Sequence, residues 1–240
     1  MEKAVFSDLD GTLSKGFLTV DFVRWLAKKG ALEKEPFALH EKLMREYKEG
    51  KINYIDLVPK WSQSVAECFS GIEEKELKRL AGEFFEEWKK NLFPSTKPLV
   101  ALLHGHGYML FLISAGWDCL VEKTSKEINA DGFRAMKIKL ENGKFLPILE
   151  NELFSEKGKE QEIKKIIGEL KIAKTMGFGD SIQDAAIFKS VKKPVALNPS
   201  EELLEKAKKE GWYIADRKNV LEIMRKCFAK GKKSAATGKD

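Results

Sequence analysis

Two pairs of aspartates have the residue type and the spacing to bind a cation and to act on a phosphate group. Asp8 and Asp10 alternate just before Gly11, whose freedom to turn sharply can bring both carboxylates to one pocket. Asp180 and Asp184 straddle the junction of a predicted strand and a predicted helix. Carboxylates packed together raise one another's pKa unless a cation neutralises them, and a hard cation such as Mg²⁺ prefers oxygen ligands. These pairs therefore predict a magnesium site.

A hydroxyl and a lysine complete the candidate site. Ser114 ends an apolar run, and Lys157 and Lys159 lie at the start of the helical segment 159–170. A hydroxyl donor and an ammonium group suit the non-bridging oxygens of a phosphate. The two acid pairs, the serine and one lysine are therefore expected to meet around a phosphate ester.

The predicted fold brings these distant residues together. Apolar runs at 3–9, 108–114 and 173–179 predict buried strands, and each run ends at polar residues of the site. From residue 99 onward, predicted strands and helices alternate, which is typical of a doubly wound, mainly parallel, Rossmann-like α/β sheet. Residues 133–149 add a predicted two-stranded excursion. Sheets of this kind place their sites at the carboxyl ends of the strands.

A purely helical stretch separates the first strand from the rest of the sheet. Between residues 19 and 92, apolar residues recur at three- and four-residue spacing, the pattern of amphipathic helices. We therefore predict an inserted α-helical cap at 14–93, an α/β core formed by 1–13 and 94–228, and a disordered basic tail at 229–240.

Composition and charge narrow the class of protein. The 240 residues carry a formal net charge of +6, but acidic and basic residues are interspersed along the predicted helices and form no basic stripe. No run approaches the roughly 20 apolar residues of a membrane span, and the N-terminus lacks the regions of a secretory signal. The three cysteines are widely separated. A cytoplasmic enzyme without a nucleic-acid or membrane partner is expected.

Four segments of the sequence resemble the ordered motifs of the haloacid dehalogenase superfamily. They are DLDGTL at 8–13, the apolar residue and serine at 113–114, the lysine at the start of helix 159–170, and GDSIQDAAIF at 179–188. The resemblance extends to about residue 228, and the helical insertion is similar to the cap of the phosphoserine-phosphatase-like branch. The first and last motifs together are highly specific.

The resemblance implies Mg²⁺-dependent hydrolysis of a phosphate monoester through an aspartyl-phosphate intermediate. Asp8 is implied as the nucleophile, and Asp10 as the acid that protonates the leaving oxygen and then deprotonates water. Mg²⁺ is implied on Asp8, on the backbone carbonyl of Asp10 and on Asp180. Asp184 is implied to bind or orient the metal shell, or to fix the lysine. An aspartate at position 10 favours ester hydrolysis over the ion-pumping and dehalogenating branches.

The phosphate ligands that the resemblance implies are Ser114, the backbone at Ala115, and a lysine. Lys159 is preferred because apolar residues follow it at the spacing that the family shows. Lys157, two residues earlier, is the alternative.

The substrate prediction rests on two departures from the phosphoserine phosphatases, which this chain otherwise resembles even in the segment GKINY at 50–54. That family holds the charged ends of the amino acid with an acidic residue nine positions after the nucleophile and with a cap arginine. The corresponding positions fall at Phe17 and at or near Trp61, which would leave the charges of phosphoserine unpaired. We expect another small phosphate ester, such as one with a quaternary ammonium or thioether group. Phosphoserine itself and phosphoryl transfer to a second acceptor are the alternatives, and the protein is expected to be a monomer or homodimer.

Overall fold

The structure is a computed structural model that describes residues 2–153 and 155–236. The strands in this part of the chain are β1 (Glu2–Ser7), β2 (Tyr108–Trp117), β3 (Gly132–Met136), β4 (Ile138–Glu141), β5 (Lys144–Leu149), β6 (Ile172–Gly179), β7 (Lys193–Leu197) and β8 (Tyr213–Ala215). The α-helices are α1 (Leu18–Lys28), α2 (Lys34–Lys48), α3 (Tyr54–Phe69), α4 (Glu74–Trp88), α5 (Thr96–Gly105), α6 (Asp118–Ile128), α7 (Glu156–Glu169), α8 (Ala185–Ser190), α9 (Glu201–Lys209) and α10 (Val220–Ala236). Short 3₁₀ turns lie at Lys89–Asn91 and Ile182–Asp184.

Six strands form one parallel sheet in the order β3-β2-β1-β6-β7-β8. The chain therefore starts in the middle of the sheet, extends it in one direction through β2 and β3, and then returns to extend it in the other direction. This arrangement confirms the predicted doubly wound α/β sheet. The two directions of winding separate at β1, and a sheet of this type binds its ligands beside such a point.

Helices cover both faces of the sheet. Val5 of β1 packs into a large hydrophobic cluster that includes residues of α1, α3, α4, α5 and α6. Its neighbours Ala4 and Phe6 join a second cluster with Ile163 and Ile166 of α7. Successive side chains of a strand point to opposite faces of the sheet, so β1 lies between two apolar layers.

The register of the central strands aligns the ends that carry the candidate catalytic residues. Ser7, the last residue of β1, pairs with Leu112 of β2 and with Phe178 of β6. The amide of Asp8 continues the ladder by donating to the Phe178 carbonyl at 3.0 Å. Asp8 and Asp180 consequently emerge side by side at the carboxyl edge of the sheet.

β2 extends further than the sequence predicts. The small-residue run 114–116 predicts a turn, but β2 continues through it to Trp117. Its pairing with β3 skips from Ile113 to Trp117, so the run bulges out of the ladder. The turn prediction is wrong because β2 pairs with β3 again after the bulge. Nothing in the sequence of the run itself indicates this pairing.

Helices α1 to α4 lie between β1 and α5 in the chain, where the sequence predicts the cap. Phe22 of α1 stacks on Trp117 of β2 with ring centroids 5.7 Å apart, and Phe69 of α3 meets the same indole edge-on at 4.9 Å. The apolar faces of these helices and of the sheet form one continuous cluster. The division into a core and a separate cap domain at 14–93 stays a prediction.

The β4–β5 hairpin packs against the helical insertion. Four hydrogen bonds join it to α3, to the connection that follows α3 and to the first residue of α4. They run from the amide of Gly71 to the Phe145 carbonyl (2.9 Å), from the amide of Phe145 to the Ile72 carbonyl (3.1 Å), from the amide of Glu74 to the Gly143 carbonyl (2.9 Å), and from Gln63 Nε2 to the Pro147 carbonyl (2.9 Å). The excursion predicted at 133–149 is thus only partly a hairpin, because its first residues join the main sheet as β3.

The last helix is longer than predicted. α10 continues through Ala236, past the end expected near residue 228, and so includes much of the segment 229–240 that was predicted to be a disordered tail. Residues 237–240 lie outside the described residues. Among the described helices, none combines the length and the apolar character needed to cross a bilayer.

Candidate active site

A cavity of about 600 Å³ lies between the carboxyl edge of the sheet and helices α2 and α3. It contains every predicted site residue except Lys157. One side, which we call the strand-end wall, consists of Asp8, Asp10, Ser114, Ala115, Lys159, Asp180 and Asp184. The opposite side, which we call the helical wall, consists of Phe17, Met44, Tyr47, Tyr54, Leu57, Val58 and Trp61.

Asp8 is buried at the centre of the strand-end wall, with 9% of its surface exposed. The Thr12 hydroxyl lies 3.3 Å from Asp8 Oδ2 and 3.0 Å from Asp180 Oδ1, so it links the two carboxylates. Burial raises the pKa of Asp8 well above its usual value, and the nearby Asp184 carboxylate raises it further, while Lys159 opposes both effects. A cation placed beside Asp8 would therefore stabilise its charged form.

Asp10 is held differently from Asp8. Its Oδ1 accepts a hydrogen bond of 3.1 Å from the amide of Leu18, the first residue of α1. Burial raises the pKa of Asp10 to about 7, and the Leu18 hydrogen bond works against this shift. A carboxyl group that titrates near neutral pH can both donate and accept a proton during a reaction.

Asp184 is fixed by the loop that follows β6. Its Oδ2 accepts hydrogen bonds from the amides of Asp180 (3.0 Å) and Ser181 (3.1 Å) and from the Ser181 hydroxyl (3.3 Å). Gly179 makes room for it, because a Cβ there would lie 2.6 Å from the Asp184 side chain. Burial and the Asp184 carboxylate together raise the pKa of Asp180 to about 7.

Three carboxylates of the strand-end wall form a cluster that suits a divalent cation. Asp8, Asp180 and Asp184 each offer one oxygen, and these oxygens lie within 4.8 Å of one another. Clustered hard oxygen donors with raised pKa values fit Mg²⁺. Asp184, for which the sequence left a ligand or an orienting role open, thus stands with the two predicted ligands. The Asp10 carboxylate lies with the Leu18 amide instead, and only its backbone carbonyl was predicted as a ligand.

Gly11 provides the sharp exit from the first motif. Its φ of +90° lies in the region that favours glycine. A Cβ at this position would lie 2.4 Å from Asp180 Oδ2. The backbone of the first motif therefore passes directly against the carboxylate of the last motif, and only glycine fits between them.

The structure distinguishes the two candidate lysines by position. Lys159 lies in the first turn of α7 with 5% of its surface exposed, whereas Lys157 is exposed and lies outside the cavity lining. Ser155 begins α7 by accepting a 2.9 Å hydrogen bond from the amide of Gly158. A Cβ at Gly158 would lie 2.1 Å from the Glu152 carbonyl oxygen, so the close packing of this glycine sets how the first turn approaches the site.

Lys159 is the one ammonium group of the cavity lining within the described residues. Burial by itself would lower the pKa of Lys159, but Tyr54 and the carboxylates of Asp8 and Asp184 raise it above its usual value on balance. Lys159 is therefore positively charged at neutral pH and offsets part of the negative charge of the strand-end wall.

Ser114 lies in the bulge of β2 and is 3% exposed. Its Oγ accepts a 3.0 Å hydrogen bond from the amide of Gly116, and Thr19 Oγ1 accepts one of 2.9 Å from the amide of Trp117. All three residues of the bulge, Ser114, Ala115 and Gly116, line the cavity. This placement brings a hydroxyl and backbone groups to the edge where Asp8 emerges.

The helical wall is aromatic and apolar. Trp61 is 9% exposed, and its indole N–H has no hydrogen-bond partner among the described residues. Phe17, at the mouth of the cavity, is 54% exposed. Tyr54 begins α3, directly after Asn53, whose Oδ1 accepts a 2.9 Å hydrogen bond from the amide of Asp56. The cap of α3 therefore positions Tyr54 at the cavity, where burial raises its pKa to about 12.

Sequence reasoning missed several cavity residues. The missed residues are Thr19, Val20, Met44, Tyr47, Tyr54, Leu57, Val58, Gly116, Ser181, Ser200, Glu201 and Glu202. The segment GKINY at 50–54 contained a usable signal for Tyr54, because it resembles a segment of the phosphoserine phosphatases. The glutamates at the start of α9 carried no signal beyond the acidic residues common at a helix N-terminus.

A family model described as haloacid dehalogenase-like hydrolase matches residues 5–189 of this chain. A phosphoserine phosphatase of Methanocaldococcus jannaschii is 25% identical over 228 residues, which cover 93% of this chain and 97% of that protein. A histidinol-phosphatase of Neisseria meningitidis is 26% identical over 239 residues, 91% of this chain and 100% of that protein.

Solved structures share the fold. A Bordetella pertussis protein of unknown function has a TM-score of 0.79 and 19% identity, covering 90% of this chain and 99% of that one. A substrate-bound phosphoserine phosphatase complex has a TM-score of 0.65 and 22% identity, covering 94% of this chain and 98% of that one. At these identities the structural likeness supports the fold.

Proposed function

The chain belongs to the haloacid dehalogenase-like hydrolases and is a phosphatase similar to phosphoserine phosphatases, and we propose that it is a Mg²⁺-dependent phosphomonoesterase that forms a phosphoaspartate on Asp8. One observation carries this proposal. Three carboxylates with oxygens within 4.8 Å of one another and the buried ammonium of Lys159 meet at the carboxyl edge of the sheet. A phosphate group between them would meet a nucleophile and positive charge together.

The reaction proceeds in two displacements. A carboxylate oxygen of Asp8 attacks phosphorus, the bond to the alcohol oxygen breaks, and that oxygen takes the proton of Asp10. Water then attacks the phosphorus of the acyl phosphate and gives one proton to Asp10. Inorganic phosphate leaves, and both aspartates return to their starting forms. The pKa of about 7 at Asp10 supports its service as the acid of the first displacement and the base of the second.

Asp8, Asp180 and Asp184 would hold the Mg²⁺, with the carbonyl of Asp10 as a further predicted ligand. When bound, the cation supplies Lewis-acid stabilisation of the charge on the phosphoryl oxygens. Lys159 adds a positive charge on the same side, and the Ser114 hydroxyl and the Ala115 amide would offer hydrogen-bond donors to the same oxygens. Asp184 is held by the amides of the loop after β6 and keeps its oxygen aimed at the cluster.

The substrate is proposed to be a small phosphorylated metabolite. The cavity volume of about 600 Å³ is in the range of small-molecule sites. The named substrates of the two curated relatives, phosphoserine and histidinol phosphate, are both amino-alcohol phosphates and differ in that only the first has a carboxylate. Both belong in the first substrate panel, beside a generic aryl phosphate. A monomeric or homodimeric assembly stays a prediction.

The proposal is tested by phosphate release and by trapping the intermediate. We expect turnover with Mg²⁺, none in EDTA, and a loss of about 10⁴-fold or more in Asp8→Asn, because a missing nucleophile removes the whole covalent route. Acid quenching with a radiolabelled ester should leave label on the wild-type protein and none on Asp8→Asn. Turnover that survives in Asp8→Asn, or label on another residue, would refute the assignment. Transfer of most of the label to added alcohols would favour a phosphotransferase.

A further inference from the structure

We propose that this cavity selects phosphate esters whose alcohol is uncharged and apolar, such as an alkyl alcohol, and that Met44 and Val58 are specificity-determining residues of the helical wall. The inference rests on the proposed phosphatase function, since it assumes that a phosphate occupies the strand-end wall. It concerns the leaving alcohol, which then lies towards the helical wall on the opposite side of the cavity.

The helical wall carries no charged side chain among the described residues. Four of its seven members are aromatic, and the other three are Met44, Leu57 and Val58. Leu57 and Val58 are each only 4% exposed, so a ligand in the cavity would meet side chains that bulk water barely reaches. A charged or hydroxylated alcohol would lose its hydration against this surface without gaining a partner, which is costly.

Few polar atoms of the helical wall are available to a ligand. Trp61 Nε1 is buried and has no hydrogen-bond partner among the described residues, so it is out of reach of a substrate hydroxyl as well as of solvent. The remaining side-chain oxygens of the wall are the hydroxyls of Tyr47 and Tyr54, whose rings pack edge-on with centroids 6.3 Å apart. The wall therefore offers a ligand mainly apolar contact area.

The charged groups of the cavity lie away from this apolar surface. Within the described part of the chain, five of them belong to the strand-end wall, and the other two, Glu201 and Glu202, are exposed in the first turn of α9. Glutamates at this position stabilise the helix itself, and water and salt screen exposed charges. The cavity is thus charged on one side and apolar on the other, which matches an ester with an apolar alcohol.

An apolar wall has another physical explanation that the experiment must separate. It could serve only to keep water away from the reacting groups, and such exclusion would accelerate the reaction of every ester alike. Contact with the leaving alcohol predicts instead that kcat/KM rises with the apolar area of that alcohol, because each buried methylene stabilises the transition state relative to free enzyme and ester.

The test compares kcat/KM for esters of equal length that end in different groups. Butyl phosphate, 3-hydroxypropyl phosphate and 3-aminopropyl phosphate end in a methyl, a hydroxyl and an ammonium group, respectively. We expect kcat/KM for butyl phosphate to exceed that for each of the other two by about tenfold, which corresponds to about 1.4 kcal/mol. From ethyl through propyl to butyl phosphate, kcat/KM should rise about fourfold per methylene.

Two substitutions of similar volume should weaken this preference. Val58→Thr introduces a hydroxyl into the helical wall from α3, and Met44→Gln introduces an amide from α2. Each should reduce the advantage of butyl phosphate over 3-hydroxypropyl phosphate to about threefold or less, because the wall then holds a partner for the substrate hydroxyl. Val65→Thr is the matched control, since Val65 lies on α3 in the hydrophobic core and does not line the cavity. It should lower stability in urea and keep the wild-type ratio.

Two results would overturn the inference. One is a kcat/KM for 3-hydroxypropyl or 3-aminopropyl phosphate that equals or exceeds that for butyl phosphate. The other is an advantage of butyl phosphate that survives unchanged in both Val58→Thr and Met44→Gln. Para-nitrophenyl phosphate separates the two proposals. Its Mg²⁺-dependent turnover, together with equal kcat/KM values for all alkyl esters, refutes only the selectivity, whereas absence of turnover on every ester refutes the phosphatase proposal and the selectivity with it.

Discussion

The two walls of the cavity satisfy their buried polar groups to different degrees. In the strand-end wall, Asp184 accepts three hydrogen bonds and Lys159 lies among carboxylates. Among the described residues, His40 Nε2, Trp61 Nε1 and Ser62 Oγ, in and behind the helical wall, are buried without a partner, as is Trp117 Nε1 at the end of β2. Buried polar groups are usually paired, and pairing fixes their positions. The contrast indicates that hydrogen bonds fix the position of the Asp184 carboxylate, whereas packing positions the indole of Trp61.

The comparison predicts the largest effect at Lys159. Lys159→Met should lower kcat/KM by about 10³-fold, because it removes the positive charge beside the phosphate oxygens. Lys157→Met should stay within about twofold of the wild type, since this lysine is exposed and outside the cavity. Steady-state kinetics on an aryl phosphate measures both. Equal losses in the two variants would contradict the assignment of the phosphate-binding lysine.

A second prediction concerns the close approach within the strand-end wall. Gly11→Ala should reduce turnover about 100-fold or more, because its Cβ would displace Asp180, and catalytic groups displaced by about 1 Å can lose that much. The left-handed φ adds a cost of about 1 kcal/mol to the free energy of folding.

Gly50→Ala is the matched control for Gly11→Ala. Its φ of +69° is also left-handed, but nothing lies within 4 Å of the added Cβ. It should therefore lose about 1 kcal/mol of stability by urea denaturation and keep its activity. If Gly50→Ala loses as much turnover as Gly11→Ala, backbone strain rather than displacement of Asp180 explains the loss.

A third prediction distinguishes the two walls by the sign of the pH dependence of stability. His40 of α2 is fully buried behind Trp61, and burial lowers its pKa to about 4. The Ser64 hydroxyl donates to the Trp61 carbonyl at 2.7 Å, so His40 Nδ1, 3.3 Å away, is the donor in its bond to Ser64 and Nε2 carries no proton. Glu41 opposes the shift and Arg24 adds to it.

The pKa of His40 is lower in the folded state than in the unfolded state, so protonation favours the unfolded state. The contribution of neutral His40 to the free energy of unfolding is therefore complete above pH 6.5 and is lost as the pH falls towards 4. The loss reaches about 3 kcal/mol of unfolding free energy. Asp10 and Asp180 act in the opposite direction, because their pKa values rise from 3.8 to about 7 in the fold and the metal-free protein loses stability as the pH rises through that window.

Urea denaturation in EDTA between pH 7 and pH 4 checks this prediction. His40→Gln should be less stable than the wild type at pH 7, and the difference should shrink by about 3 kcal/mol as the pH falls. If the difference in unfolding free energy between the wild type and His40→Gln stays constant across this range, the pKa of His40 is not lowered by folding and the prediction is wrong.

The strand-end wall could be predicted from the sequence because each of its residues lies close to the end of an apolar run or at the start of a helix. Asp8, Asp180 and Ser114 are adjacent to apolar runs whose register parallel pairing then aligns. The helical wall could not be predicted in the same way. Periodicity shows that a helix has an apolar face, but not whether Leu57 and Val58 on that face meet the core or a cavity, because that depends on tertiary packing.

Two differences from the predictions have the same origin. The bulge at 114–116 looks like a turn locally, and only pairing with β3 keeps it within a strand. The role of Glu201 and Glu202 in lining the cavity depends on the bond between Ser200 and Asp180, which spans separate elements. Local sequence patterns are enough to predict the charged residues at the strand ends. The residues that surround them in the cavity depend on contacts between segments that are distant in the sequence.

The four hydrogen bonds that join the β4–β5 hairpin to α3, to the connection after it and to the start of α4 have a mechanical consequence. They fix the insertion at a point far along the chain from its two covalent junctions with the sheet, so the helices are fastened on more than one side. Swinging the whole insertion away would break these bonds at about 1 kcal/mol each. The connection between the end of α2 and the first turns of α3, with Tyr47 and Tyr54 on either side, takes no part in these hydrogen bonds. We therefore expect substrate entry and product release to depend on movement of this connection.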